Sequence, residues 1–100
     1  MNLTQKQKLA INLLAQSPLR EIFYWTGGTL LAYHYLHHRE SVDLDFFAEK
    51  KFSFEEVNRF TQELKEKGGF ATVHYQKIFD RHEFIFENGE RLRIEFVYYN

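Results

Sequence analysis

One hundred residues make one domain with a single core, near the lower end of comfortable size. Apolar residues make up 44% and aromatics 18%, with 11 Phe and 6 Tyr, which excludes a disordered chain and implies an aromatic-rich core. A formal net charge of −1, from 13 Lys and Arg against 14 Asp and Glu, advertises no broad nucleic-acid surface, so a polynucleotide would be held by a local patch or by something outside this chain. The absence of cysteine removes disulfides, thiolate nucleophiles and Cys-based zinc sites together. No apolar run approaches the roughly 20 residues of a membrane span, and "MNLTQKQKLAINLLAQ" lacks the continuous apolar stretch of a signal peptide. The expectation is a cytoplasmic protein with no membrane partner.

In "LTQKQKLAINLLAQSP" the residues Leu9, Ala10, Leu13 and Leu14 recur at helical spacing, and Pro18 stops the helix. Ile22 to Thr26 is β-branched or aromatic throughout and reads as a buried strand cut off by Gly27. "TLLAYHYLHH" predicts a second helix, and "SVDLDFF" a second strand. In "FSFEEVNRF" a capping box of Ser53 and Glu56, with Phe52 and Val57 as the hydrophobic staple, starts a third helix. Val57, Phe60 and Leu64 form its buried stripe, and Gly68-Gly69 ends it. "FATVHYQKIF" and "RHEFIFENGERLRIEFVYY" complete the chain as strands, with Asn88-Gly89 marking a type I′ hairpin between the last two. Leu92, Ile94 and Phe96 share one face of the final strand; Arg91, Arg93 and Glu95 share the other.

The predicted order is α-β-α-β-α-β-β-β, an α+β arrangement with a mixed sheet of about five strands and three helices packed on it. The chain stops after a strand with no closing helix. Either the sheet ends there on an edge, or residues 1–100 are the first part of a longer protein.

Chemistry concentrates at two places. Gly27-Gly28 lies where a strand gives way to a helix, and glycine there admits positive φ and close ligand approach, while the helix N-terminus offers unpaired N–H groups to phosphate oxygens. Thr29 adds a hydroxyl; an ordinary turn is the alternative. Asp43 and Asp45 are i and i+2 on a strand, so both carboxylates leave one face, roughly 6–7 Å apart at Cα. Such a pair suits Mg²⁺ (or Mn²⁺) through hard oxygen ligands, or else marks an exposed acidic edge. Fourteen residues separate Gly28 from Asp43, enough for one helix and a return turn to one pocket. Glu95 is the candidate third carboxylate, with a cross-strand ion pair to Arg91 or Arg93 as its alternative. Arg39 would reach a phosphate or brace a carboxylate, and Ser41 turns the chain into the second strand. His34, His37 and His38 complement the end of the helix dipole, His37 and His38 pointing different ways. Phe23, Tyr24, Trp25, Phe46, Phe47, Phe84, Phe86 and Phe96 read as core.

"WTGGTLLAYHYLHHRESVDLDFF" resembles the signature of the polymerase-beta-like nucleotidyltransferases, and within them the AbiEii/AbiGii toxin-type family: an apolar strand, Gly-Gly-Thr, Leu-Ala, then Arg-x-Ser-x-Asp-h-Asp-h-Phe, where h is apolar. Gly27, Gly28, Thr29, Leu31, Ala32, Arg39, Ser41, Asp43, Asp45 and Phe46 fill those positions. The resemblance implies a nucleotidyltransferase fold and Mg²⁺-dependent transfer of a nucleotidyl group from an NTP to an RNA or protein hydroxyl, in a toxin–antitoxin or phage-defence toxin neutralised by a cognate antitoxin. Gly27 and Gly28 would contact the triphosphate; Asp43, Asp45 and Glu95 would bind metal. Two departures stand out. Glu95 replaces the usual Asp, and the helical C-terminal part of the family, with its basic residue and Arg-Asp-type motif, is not within residues 1–100. A catalytically weak nucleotide- or partner-binding module on the same fold is the alternative. A metal-dependent glycosyltransferase using Asp43-Leu44-Asp45 is the third class, and the short chain and Gly-Gly-Thr argue against it.

Overall fold

The computed structural model describes residues 3–25 and 44–98. Helix α1 (Gln5–Ala15) leads through a short 3-10 turn (Pro18–Glu21) into β1 (Phe23–Trp25). After residues 26–43 come β2 (Leu44–Ala48), α2 (Phe54–Gly68), β3 (Thr72–Ile78), β4 (Arg81–Asn88) and β5 (Glu90–Tyr98). The described residues thus hold two α-helices and five strands. The helix expected over residues 29–38 lies outside them, as do the histidines on it.

Local chemistry sets the boundaries. Thr4 caps α1 in a reciprocal box with Gln7, the hydroxyl accepting the Gln7 N–H at 3.1 Å and the Gln7 amide oxygen accepting the Thr4 N–H at 2.9 Å. The helix ends at Ala15, and Pro18 opens the following turn, where its missing N–H costs nothing. Ser53 caps α2 by accepting the Glu56 N–H, and Gly69 closes it in the left-handed region at φ 68°. The N–H groups of Gly69 and Phe70 return to the carbonyls of Glu66 and Lys65.

The sheet runs β1-β2-β5-β4-β3, mixed because β2 and β5 are parallel while the other neighbours are antiparallel. On one face Leu44, Phe46, Phe84, Phe86, Leu92, Ile94 and Phe96 meet Leu13 and Leu14 of α1 and Val57, Phe60 and Leu64 of α2 in a single core. Phe96 sits at its centre, with Phe23, Phe46, Phe60 and Phe84 rings 5.0–5.9 Å away. Tyr24 and Phe47 fall on the opposite face, stacked on each other at 6.2 Å, with Tyr24 47% exposed; the strand alternation takes them out of the core.

One expectation about the last hairpin is corrected. A type I′ turn needs positive φ at both central residues, but of Asn88 and Gly89 only Gly89 has it, at 77°. Gly89 alone separates the paired Asn88 and Glu90, so Phe84 lies opposite Ile94 and Phe86 opposite Leu92. A two-residue loop would shift the register by one and set Phe84 against Arg93. The apolar faces of both strands outweigh the local turn preference.

Candidate active-site face

The sheet face opposite the core carries a row of acids. Asp45 on β2 is in register with Glu95 on β5, and Glu95 with Glu83 on β4. Registered residues share a face, with neighbouring strands about 4.8 Å apart. Three carboxylate-bearing residues from three strands therefore stand side by side, and two of them, Glu83 and Glu95, are only 8% and 6% exposed.

Like charges opposite one another on a sheet repel, so the row requires cations. Arg93, two residues before Glu95 and on the same face, supplies a fork. Its Nε donates to Glu83 Oε2 at 2.6 Å, and its Nη2 donates to Glu95 Oε1 at 2.6 Å while also touching Glu83 Oε2. Arg81 adds a longer contact, Nη1 to Glu95 Oε2 at 3.4 Å. Among the described residues no buried side-chain nitrogen or oxygen lacks a hydrogen-bond partner. A cavity of about 440 Å³ opens over Arg81, Glu83, Arg93 and Glu95, walled by the β3–β4 turn and by Val97 and Tyr98 of β5.

Of the residues expected at the site, Asp45 and Glu95 are brought into register across adjacent parallel strands. Glu95 also makes the alternative contact, to Arg93 rather than Arg91, which lies opposite Glu87. Gly27, Gly28, Thr29, Arg39, Ser41 and Asp43 lie outside the described residues. Asp45 and Glu95 offer only carboxylate oxygens, the hard donors that suit Mg²⁺. Both oxygens of Glu95 already meet guanidinium groups, and among the described residues no group of three or more His, Asp or Glu side chains is placed to hold a metal ion. A complete cation site therefore needs donors from outside the described residues, Asp43 being the one at the matching motif position.

Sequence reasoning passed over Glu83. Its signal was the parity of the hairpin: matching the apolar faces of β4 and β5 pairs Phe84 with Ile94 and thereby Glu83 with Glu95. At the same end of the sheet, on the core side, His82 Nδ1 lies 2.7 Å from the Tyr75 hydroxyl, with the Phe52 ring 5.6 Å away. Burial, and then the Lys77 ammonium, hold the His82 pKa below the usual histidine value, so the ring is neutral at pH 7.

No helix among the described residues is long and apolar enough to cross a membrane. No curated protein matches the chain. The crystal structure of a candidate nucleotidyltransferase from H. pylori aligns with a TM-score of 0.52 and 21% identity over 93% of this chain, which spans 42% of that protein's length. That likeness speaks for the fold alone, a mixed sheet with helices packed on it. The model of the family described as "Nucleotidyl transferase AbiEii toxin, Type IV TA system" matches residues 9–99, which takes in the Gly-Gly-Thr segment, Asp43, Asp45 and the strand that carries Glu95. The chain therefore belongs to the AbiEii nucleotidyl transferase toxin family of type IV toxin–antitoxin systems.

Proposed function

We propose that the protein transfers a nucleotidyl group from an NTP to an RNA or protein hydroxyl, as the cytoplasmic toxin of a pair with a cognate antitoxin. The observation that supports this reading is the register of Asp45 with Glu95 on adjacent parallel strands, in a chain of this family. In the reaction the acceptor oxygen attacks the α-phosphorus, a new P–O bond forms, and the bond from the α-phosphorus to the bridging oxygen of the β-phosphate breaks. Pyrophosphate leaves, and the acceptor loses its proton.

Asp43 and Asp45 are the residues that would hold Mg²⁺ or Mn²⁺, with Glu95 at the third acidic position. Bound there, such an ion supplies charge neutralisation to the attacking and leaving oxygens. Gly27 and Gly28 would receive the triphosphate through their backbone N–H groups, with Thr29, Arg39 and Ser41 beside them. Arg93 holds Glu95 in one orientation and shares the charge of Glu83, so the acid row keeps its shape before substrate arrives.

The test is incubation with labelled NTPs, Mg²⁺ and total RNA. Label transfer by the native chain and its loss in Asp45→Asn support the reading; transfer that survives Asp45→Asn refutes it. A second reading, a catalytically weak nucleotide- or antitoxin-binding module, draws on the two guanidinium contacts that already occupy the Glu95 oxygens. NTP binding without transfer in the same assay would favour it.

A further inference from the structure

The turn between β3 and β4 breaks two rules at once. Ile78 pairs with Arg81, leaving Phe79-Asp80 as a two-residue loop. Phe79 occupies the first loop position at φ 55°, a conformation that glycine or asparagine adopts easily and a bulky aromatic rarely does. The residue is 91% exposed. Neither the backbone nor the core gains from a phenylalanine here, and residues held in sparsely populated backbone regions cluster at ligand clamps.

Its surroundings say what it would clamp. Phe79 is one wall of the cavity over Arg81, Arg93 and Glu95. A second cavity, of about 180 Å³, is lined by Lys51 and Lys77. Asp80 and Tyr98 border both cavities, so the two lie on either side of the loop. The first cavity sets Arg81 and Arg93 against Asp80, Glu83 and Glu95, and the second sets Lys51 and Lys77 against Asp80 alone. An exposed aromatic ring here therefore has a cation on either side of it, the chemistry of a stacking platform with phosphate-binding flanks.

We propose that Phe79 stacks a nucleobase at the mouth of the acid-row cavity, with the adjoining phosphates met by Lys77 and Arg81. The base would come either from a single-stranded nucleic-acid acceptor or from the incoming nucleotide. The proposal rests on the nucleotidyl-transfer reading for its ligand class, but its test reads binding rather than turnover. Fluorescence anisotropy with a labelled eight-nucleotide RNA forms one arm, and calorimetric titration with ATP and GTP the other.

Phe79→Ala is expected to weaken one arm by roughly five- to 150-fold, the range for removal of one base–aromatic stack, while Phe79→Trp keeps native affinity. Loss in the RNA arm assigns the platform to the acceptor strand; loss in the nucleotide arm assigns it to the NTP. Because the side chain is almost fully exposed, circular dichroism should show both variants folded as the native protein is. Binding unchanged within two-fold in both arms overturns the proposal, as does a native protein that binds neither probe, or a Trp variant as weak as the Ala variant. The labelled-NTP assay run alongside separates the two ideas. Transfer with Phe79-independent binding removes the platform and keeps the enzyme; Phe79-dependent binding without transfer does the reverse.

Discussion

Replacing Arg93 with Met removes a guanidinium that touches two carboxylates at once. Glu83 and Glu95 would then face each other across β4 and β5 with side chains only 11% and 8% exposed. Removing one partner of a buried ion pair typically costs 3–5 kcal/mol, because the remaining charge stays out of water without compensation. Arg93 is itself 32% exposed, and Arg81 keeps its 3.4 Å contact to Glu95, so the lower end applies, about 3 kcal/mol. For a domain of this size that corresponds to a fall in Tm of roughly 12–24 °C. Urea unfolding at pH 7, followed by far-ultraviolet circular dichroism, measures it. The two facing carboxylates also set the sign of a coupling. Glu83→Gln should destabilise the native protein but recover at least about 1 kcal/mol in the Arg93→Met background, since it removes one of the two facing charges. An Arg93→Met protein within about 1 kcal/mol of native, or a Gln change that costs the same in both backgrounds, would refute the account of the acid row.

Two further predictions concern the frame around the site. His82 has its folded-state pKa lowered, so the unfolded chain binds the extra proton more readily; stability should therefore be lost as pH falls below about 6.5, and His82→Gln should flatten that acid-side slope in unfolding measured from pH 7 to 5. Gly69→Ala places a side chain at φ 68° where a Cβ would meet no atom within 4 Å, so the cost is backbone strain alone, about 1 kcal/mol by chemical denaturation, and Gly69→Asn should cost less.

Much of the frame was legible because local patterns suffice for it. The stripe of Val57, Phe60 and Leu64, the Ser53 cap and the Gly69 stop lie within one helix, and each appears where its spacing placed it. The alternation of Leu92, Ile94 and Phe96 with Arg93 and Glu95 likewise fixed which side of β5 would be charged. The Asn88-Gly89 dipeptide misled because turn propensity is weaker than the mismatch of two apolar faces, and the loop gave way. Tyr24 and Phe47 were assigned to the core on aromatic character, although strand period already placed them away from Phe23 and Phe46.

The sequence by itself determined which residues face which way: a period of two sorts strand residues to two sides, and caps and glycines bound the helices, all through contacts within a few positions. It also carried the family motif. The tertiary structure alone decided who stands beside whom. Asp45 and Glu95 are neighbours because β2 and β5 pair in parallel, with α2 and two further strands in the chain between them, and no local preference encodes that pairing or its register. The same assembly set the Glu83–Glu95 pair, which the apolar parity of the β4–β5 hairpin already encodes, beside Asp45. Arg93 lies between the two glutamates because a buried charge keeps its place only where a partner neutralises it.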